Sequence, residues 1–313
     1  MAAPYGTMFD FGGTVSGSNS IGWDSGVREI DMHDDLIMLS PTATVTHSTL
    51  DETDFDSVTP EWMQVTLASI DQNNAVSEAA DYTYEDQNVP ARVQQVCRHQ
   101  RKTAQVSGRM MKDKTFDAIG KLKDQQSAVR MLELKRDKNH ALINSQIAMT
   151  NESTATRFRG ILEAISDAGN HTVGSSTTFS EEILKDTILA GVYEDGFEPT
   201  DLYVPPTLQT VLDGFSADNT RFVDVDAKKL VSHINVYDSP YGRVQIHLER
   251  EIYLDSGTIF ALDRQWWRCG YFRRTWMEEP PKDGDRWRGV IQVDWALEDL
   301  AATSGYSHDN LVA

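Results

Sequence analysis

Residues 71–90 read DQNNAVSEAADYTYEDQNVP, five acidic side chains and no Lys, Arg or His, set between two segments with strand-like alternation. Before it, Trp62, Gln64, Thr66 and Ala68 alternate with Met63, Val65 and Leu67 from Glu61 onward; after it, ARVQQVCRHQRKTAQVSG runs from Ala91 to Gly108. A loop longer than about 12–15 residues without structure of its own is uncommon in a compact domain and usually functional. A long two-stranded ribbon is also marginal in water by itself. The stretch therefore reads as an acidic tongue on a β-ribbon that needs a surface to lie on.

The charge around the tongue is blocked by sign. Residues 1–90 hold 16 Asp/Glu against one Arg, a net of −15; residues 91–138 hold 13 Lys/Arg against 5 Asp/Glu, a net of +8; the remaining 175 residues return to −12. Blocks of opposite sign in one chain suit head-to-tail contact between copies, because every copy offers both halves. The total of −19 over 313 residues argues against simple phosphate-backbone binding. With 40% hydrophobic and 25% charged residues the composition is that of a globular protein, long enough for two lobes. No apolar run reaches the 18 or so residues of a membrane span. The start MAAPYGTMFDFGGTVSG lacks the charged and apolar regions of a secretory signal, which suggests a cytoplasmic setting. Cys97 and Cys269, without CxxC spacing, are expected to be reduced structural thiols.

Outward from the ribbon, residues 1–30 are rich in Gly and Ser and read as an extended arm. The segment 31–57 adds an apolar LIML at 36–39 and the acidic DETDFD. On the other side, a helix is expected from about Asp117 to Met149, its apolar residues in two offset stripes; 33 residues would make a rod of about 50 Å. After it the pattern alternates: a short helix in FRGILEAISDAG closed by Gly169, a Gly/Ser/Thr loop, a helix capped by Ser180, then strand, turn and helix in DLYVPPTLQTVLDGF. From Arg221 the text is mostly β: RFVDVDA, a hairpin turning at DSPYG, REIYL joined to TIFALD, and GVIQVDWALEDL with Ile291, Val293, Trp295 and Leu297 on one face. The fold class is α+β.

No phosphate-cradling glycine motif, HExxH or EF-hand spacing is present. The acceptor-like NES at 151 and NHT at 170 carry no weight without a secretion signal. Adjacent pairs such as Glu278–Glu279 and Glu298–Asp299 do not supply two carboxylates across a cleft. The cluster WWRCGYFRRTW at 266–276 could stack bases with Arg268, Arg273 and Arg274; a core strand with aromatics inward and arginines outward is the better reading. No cofactor or metal site, and no catalytic residue, is assigned.

Five pieces in order, AVRMLELKRDKNHALINSQ (128–146), ATRFRGILEAIS (155–166), VYDSPYGRVQIHLERE (236–251), ALDRQWWRCGYFR (261–273) and DGDRWRGVIQVDWALEDLAATSGY (283–306), resemble the major capsid proteins of tailed phages with the Hong Kong 97-like shell fold. The likeness is greatest to the branch typified by the major head protein of an elongated-head podophage, and it spans about residues 30–306. It implies an N-terminal arm (1–57), an extended β-ribbon loop (58–107), a spine helix of the peripheral domain (108–159), a mostly axial domain (160–260) and a return to the peripheral domain with the C-terminus (261–313). It also implies a virion protein, assembled in the host cytoplasm, whose copies form hexamers and pentamers of an icosahedral or elongated head around double-stranded DNA, with no sequence-specific contact and no membrane.

In such subunits the extended loop lies over a neighbour. Intersubunit contacts are accordingly expected at Trp62, Asp81, Tyr82, Tyr84, Glu85 and Asp86 on the ribbon and tongue, and at Arg92, Arg98, Arg101, Arg130 and Arg136 on the basic strip. Changing Glu85 and Asp86 to Lys should then impair assembly. Some relatives lock their shells by an isopeptide bond from a loop lysine; here no Lys precedes Lys102, so no such cross-link is expected. The arm is short and Gly-rich, which implies a separate scaffolding protein beside the portal, with a decoration or cement protein as a further possible partner. A nanocompartment shell of the same fold around protein cargo and an acidic α+β enzyme are the alternatives.

Overall fold

The computed structural model describes residue 40 and residues 42–67, 70–82, 84, 89–112, 121–146, 155–215 and 235–313. Two mixed sheets organise them. The first has four strands, β1 (Asp51–Asp54), β4 (Arg98–Ser107), β10 (Trp267–Glu278) and β11 (Arg286–Asp299), in the order β1-β10-β11-β4. Along β11, Trp287, Gly289, Ile291, Val293, Trp295 and Leu297 alternate onto one buried face, as a period of two requires. Trp267, Cys269 and Tyr271 of β10 share that face until register shifts after Tyr271 interrupt the alternation. Two of the buried indoles are satisfied by side chains: Trp295 Nε1 donates to Gln100 Oε1 at 2.9 Å and Trp267 Nε1 to Ser304 Oγ at 2.8 Å.

Against this face lies α3 (Leu122–Asn144), whose buried Leu134, Lys138, Ala141 and Leu142 follow the i, i+4, i+7, i+8 pattern of one helical stripe. All its fully buried residues fall in the second half; the first half is held by Leu122 packing on Ala104, Val106 and Trp287. The helix is shorter than the expected Asp117–Met149. Lys121 is extended at its start and Ser145 at its end (ψ 125°), so the rod is about 35 Å long. Gly160 closes tightly on that end, its N–H donating to Ser145 O at 2.7 Å; a Cβ there would meet the Ser145 nitrogen at 2.7 Å. Helix α4 (Ile161–Asp167) follows, closed at Gly169 with φ +86°.

The second sheet has six strands in the order β5-β12-β9-β6-β8-β7: β5 (His171–Thr178), β6 (Asp201–Val204), β7 (Val236–Ser239), β8 (Gly242–Leu248), β9 (Ile259–Leu262) and β12 (Gly305–Val312). Every residue of β6 and β9 is buried, because both faces are covered. Leu202, Val204, Ile259 and Ala261 face a π-wound turn, Ile183–Leu189, its continuation α5 (Ala190–Glu194) and α6 (Pro206–Phe215). Tyr203, Phe260 and Leu262 face the other way, into the core under α3 and the first sheet. One strand thus feeds two cores.

Several local expectations give way to long-range pairing. The Gly/Ser/Thr loop is strand β5, recruited by parallel pairing with β12 from the chain's far end. REIYL is no strand: Tyr253 and Leu254 both donate to Arg250 O in a turn that buries two consecutive residues, which a strand cannot do on one face. DETDFD contributes β1, parallel to β10, and the five-residue helix α1 (Val45–Thr49) precedes it. The segment 261–313 divides between the sheets, with β10 and β11 in the first and β12 in the second. LIML at 36–39 and RFVDVDA at 221–227 lie outside the described residues. No helix among the described residues is long and apolar enough to cross a membrane.

Candidate assembly surface

The ribbon begins where expected and is short. Strands β2 (Glu61–Gln64) and β3 (Ala91–Gln94) pair antiparallel with Trp62 opposite Val93. The ladder continues downward, with Gln95 N–H donating to Pro60 O (3.0 Å) and Cys97 N–H to Val58 O (2.8 Å), so β3 leads into β4 after a break at Gln95–Cys97. Gln64 Nε2 ties the far end to Leu300 O at 2.7 Å. Beyond Gln64 the described residues of the tongue have no strand, and their apolar side chains stand in solvent: Leu67 is 86% exposed, Ile70 92%, Tyr82 89% and Tyr84 93%. Asp81 is exposed beside them; Glu85 and Asp86 lie outside the described residues.

The basic strip proves less uniform than its sequence. Arg92 is ion-paired with Glu61 on its own ribbon, Arg130 makes two bonds to Glu133 on its own helix (2.7 and 3.0 Å), and Lys102 of β4 reaches Asp137 of α3 at 2.7 Å. Arg101 is exposed on the side of β4 turned away from α3, and the buried Nε of Arg136 has no partner. Arg98, opposite Trp295 at the start of β4, has its pKa lowered by burial first and then by Arg157, with Asp137 acting the other way. Arg157 lies outside the basic block in sequence. Thr156 Oγ1 donating to Cys97 O at 3.2 Å brings it there, with Phe158 wedged edge-on against Trp295 (4.6 Å between ring centres). Nothing in the local sequence signals that approach.

Helix α1 joins both sheets and the spine. Thr46 donates from N and Oγ1 to the buried Glu249 Oε2 (2.9 and 2.6 Å), Thr49 Oγ1 meets Tyr203 OH at 2.5 Å, and His47 N–H donates to Asn139 Oδ1 at 2.9 Å. His47 Nε2 lies 2.9 Å from Tyr271 OH, to which Lys138 Nζ also donates (3.2 Å). Burial, then Lys138 and Lys135, lower the His47 pKa to about 3; burial pushes Tyr271 up and Lys138 down. Cys97 and Cys269 are buried and free, their pKa values raised to about 12 chiefly by desolvation. The aromatic–arginine cluster is a core strand, with Trp267 and Tyr271 buried and Arg273 stacked 4.4 Å over Trp276 on the outer side. Among the described residues no three His, Cys, Asp or Glu side chains converge to hold a metal.

A spine helix under a long-stranded sheet, a second sheet sharing its core and a projecting ribbon define a Hong Kong 97-like capsid subunit, and comparison of structures bears this out. The fold matches a protein of Mycobacterium phage Bobi (TM-score 0.63, 11% identity, 92% of this chain and 97% of that one). It also matches the capsid of a native GTA particle (TM-score 0.61, 11% identity, 95% and 100%) and the SrpI encapsulin of Synechococcus elongatus PCC 7942 (TM-score 0.59, 13% identity, 91% and 93%). No curated protein matches by sequence. Residues 10–303 match the family described as SU10 major capsid protein, so the chain belongs to that family. It is a structural protein of a phage capsid.

Proposed function

We propose that copies of this chain close into pentamers and hexamers of an icosahedral or elongated head, laying the tongue of each copy over its neighbour. The exposure of Leu67, Ile70, Tyr82 and Tyr84 carries this reading: a subunit that must stay soluble alone would not hold four large apolar side chains out on one loop. Heterologous contacts of this kind generate closed rings, and a loop tolerates the two ring sizes better than a packed core does. The first sheet with α3 acts as the peripheral domain and the six-stranded sheet as the axial one.

The packaged cargo is double-stranded DNA, held without sequence-specific contact, and the subunit performs no catalysis. Assembly takes place in the host cytoplasm with a separate scaffolding protein and the portal; a decoration protein binds the finished outer surface. The test is size-exclusion chromatography and negative-stain electron microscopy of the protein made alone and with its scaffold. Rings of five and six or closed shells are expected. A monomer under both conditions overturns the reading, and shells that copurify with a specific protein cargo in place of DNA favour the nanocompartment.

A further inference from the structure

Resting on that self-assembly, the structure assigns a specific receptor for the tongue: we propose that Arg98 and Arg157 form a carboxylate-binding pair completed by Glu78 and Asp81 of a second copy. The pair is built by the fold, since the Thr156–Cys97 hydrogen bond and the Phe158–Trp295 contact fix the two neighbouring backbones against each other. Neither guanidinium group has an ion pair or hydrogen bond among the described residues, whereas Arg92, Arg130 and Lys102 are each neutralised within the subunit. Asp137, the nearby acid, is already held by Lys102 at 2.7 Å. Two like charges brought near one another on neighbouring backbones, Arg98 half-buried and Arg157 exposed, suit carboxylates, and neither guanidinium is ion-paired among the described residues.

The tongue of a second copy offers one such ligand. The described tongue carries Asp71, Glu78 and Asp81 in solvent, with no cation between residues 71 and 90, and its exposed apolar side chains supply the adjoining contact area. DNA phosphate would meet the same guanidinium groups without using the exposed apolar side chains of the tongue, so packaged DNA is measured beside shell yield.

Three arms decide it. Asp81→Cys with Arg157→Cys should give cross-linked oligomers on oxidation with copper–phenanthroline, the two native thiols being buried. Arg157→Glu, at an exposed position, should leave subunit melting unchanged and lower shell yield at least about tenfold. Adding Glu78→Lys and Asp81→Lys to Arg157→Glu should recover the yield. Wild-type protein that never forms rings or shells overturns the assembly reading itself. Shells that form without the cross-link, with Arg157→Glu at full yield, leave that reading standing and overturn this one. Full yield with less packaged DNA assigns the pair to phosphate and overturns it equally.

Discussion

Thr46, His47 and Thr49 occupy three of the five positions of α1, and each meets a different element: the end of β8 through Glu249, α3 and β10 through Asn139 and Tyr271, and β6 through Tyr203. His47 is held neutral, its pKa lowered to about 3. A histidine depressed in the folded state binds protons preferentially when unfolded. Its contribution is therefore complete above about pH 6.5 and lost progressively as pH falls toward 3. Subunit melting temperature should drop more steeply from pH 7 to pH 4 in the wild type than in His47→Gln, and parallel curves would refute this. Cys97 and Cys269, raised to about 12, should resist a thiol reagent at pH 8 in the native subunit and both react in denaturant; labelling of one native thiol would contradict the burial.

At the scale of elements, α3 and the tongue make opposite predictions. Leu142 is wholly buried between the spine and the first sheet, so Leu142→Ala should cost the subunit about 2–5 kcal/mol by denaturant unfolding. Replacing residues 71–90 by a short Gly-Ser turn removes no described core residue. Its unfolding midpoint should match the wild type while rings and shells disappear from the chromatogram. The strands divide in the same way. Those of β11 were legible because one face is apolar at every second position, whereas β5 was not, since HTVGSSTT has no apolar face and is a strand only by pairing with β12.

For the whole molecule the charge blocks matter most. Four cations of the basic strip pair with carboxylates of their own subunit, and two of them, Arg92 and Lys123, with acids outside residues 91–138, so attraction between copies rests on fewer groups than the +8 of that block suggests. Exposed charge attraction is screened over about 10 Å at 0.1 M salt and about 3 Å at 1 M. The initial rate of shell formation, followed by light scattering, should fall as salt rises through that range; a rate that only climbs would make tongue docking purely apolar.

Sequence alone determined the α+β class, the long helix, the burial of β10 and β11, and a tongue with nothing of its own to pack on, because each is a matter of periodicity or composition within one segment. The order of segments carried the capsid likeness. Tertiary structure alone decided that β12 returns to the six-stranded sheet, that a five-residue helix joins both sheets, and that Arg157 stands beside Arg98 across 59 residues of chain. Those outcomes depend on which distant partner satisfies a buried strand edge, carboxylate or carbonyl, and no local pattern encodes the identity of that partner.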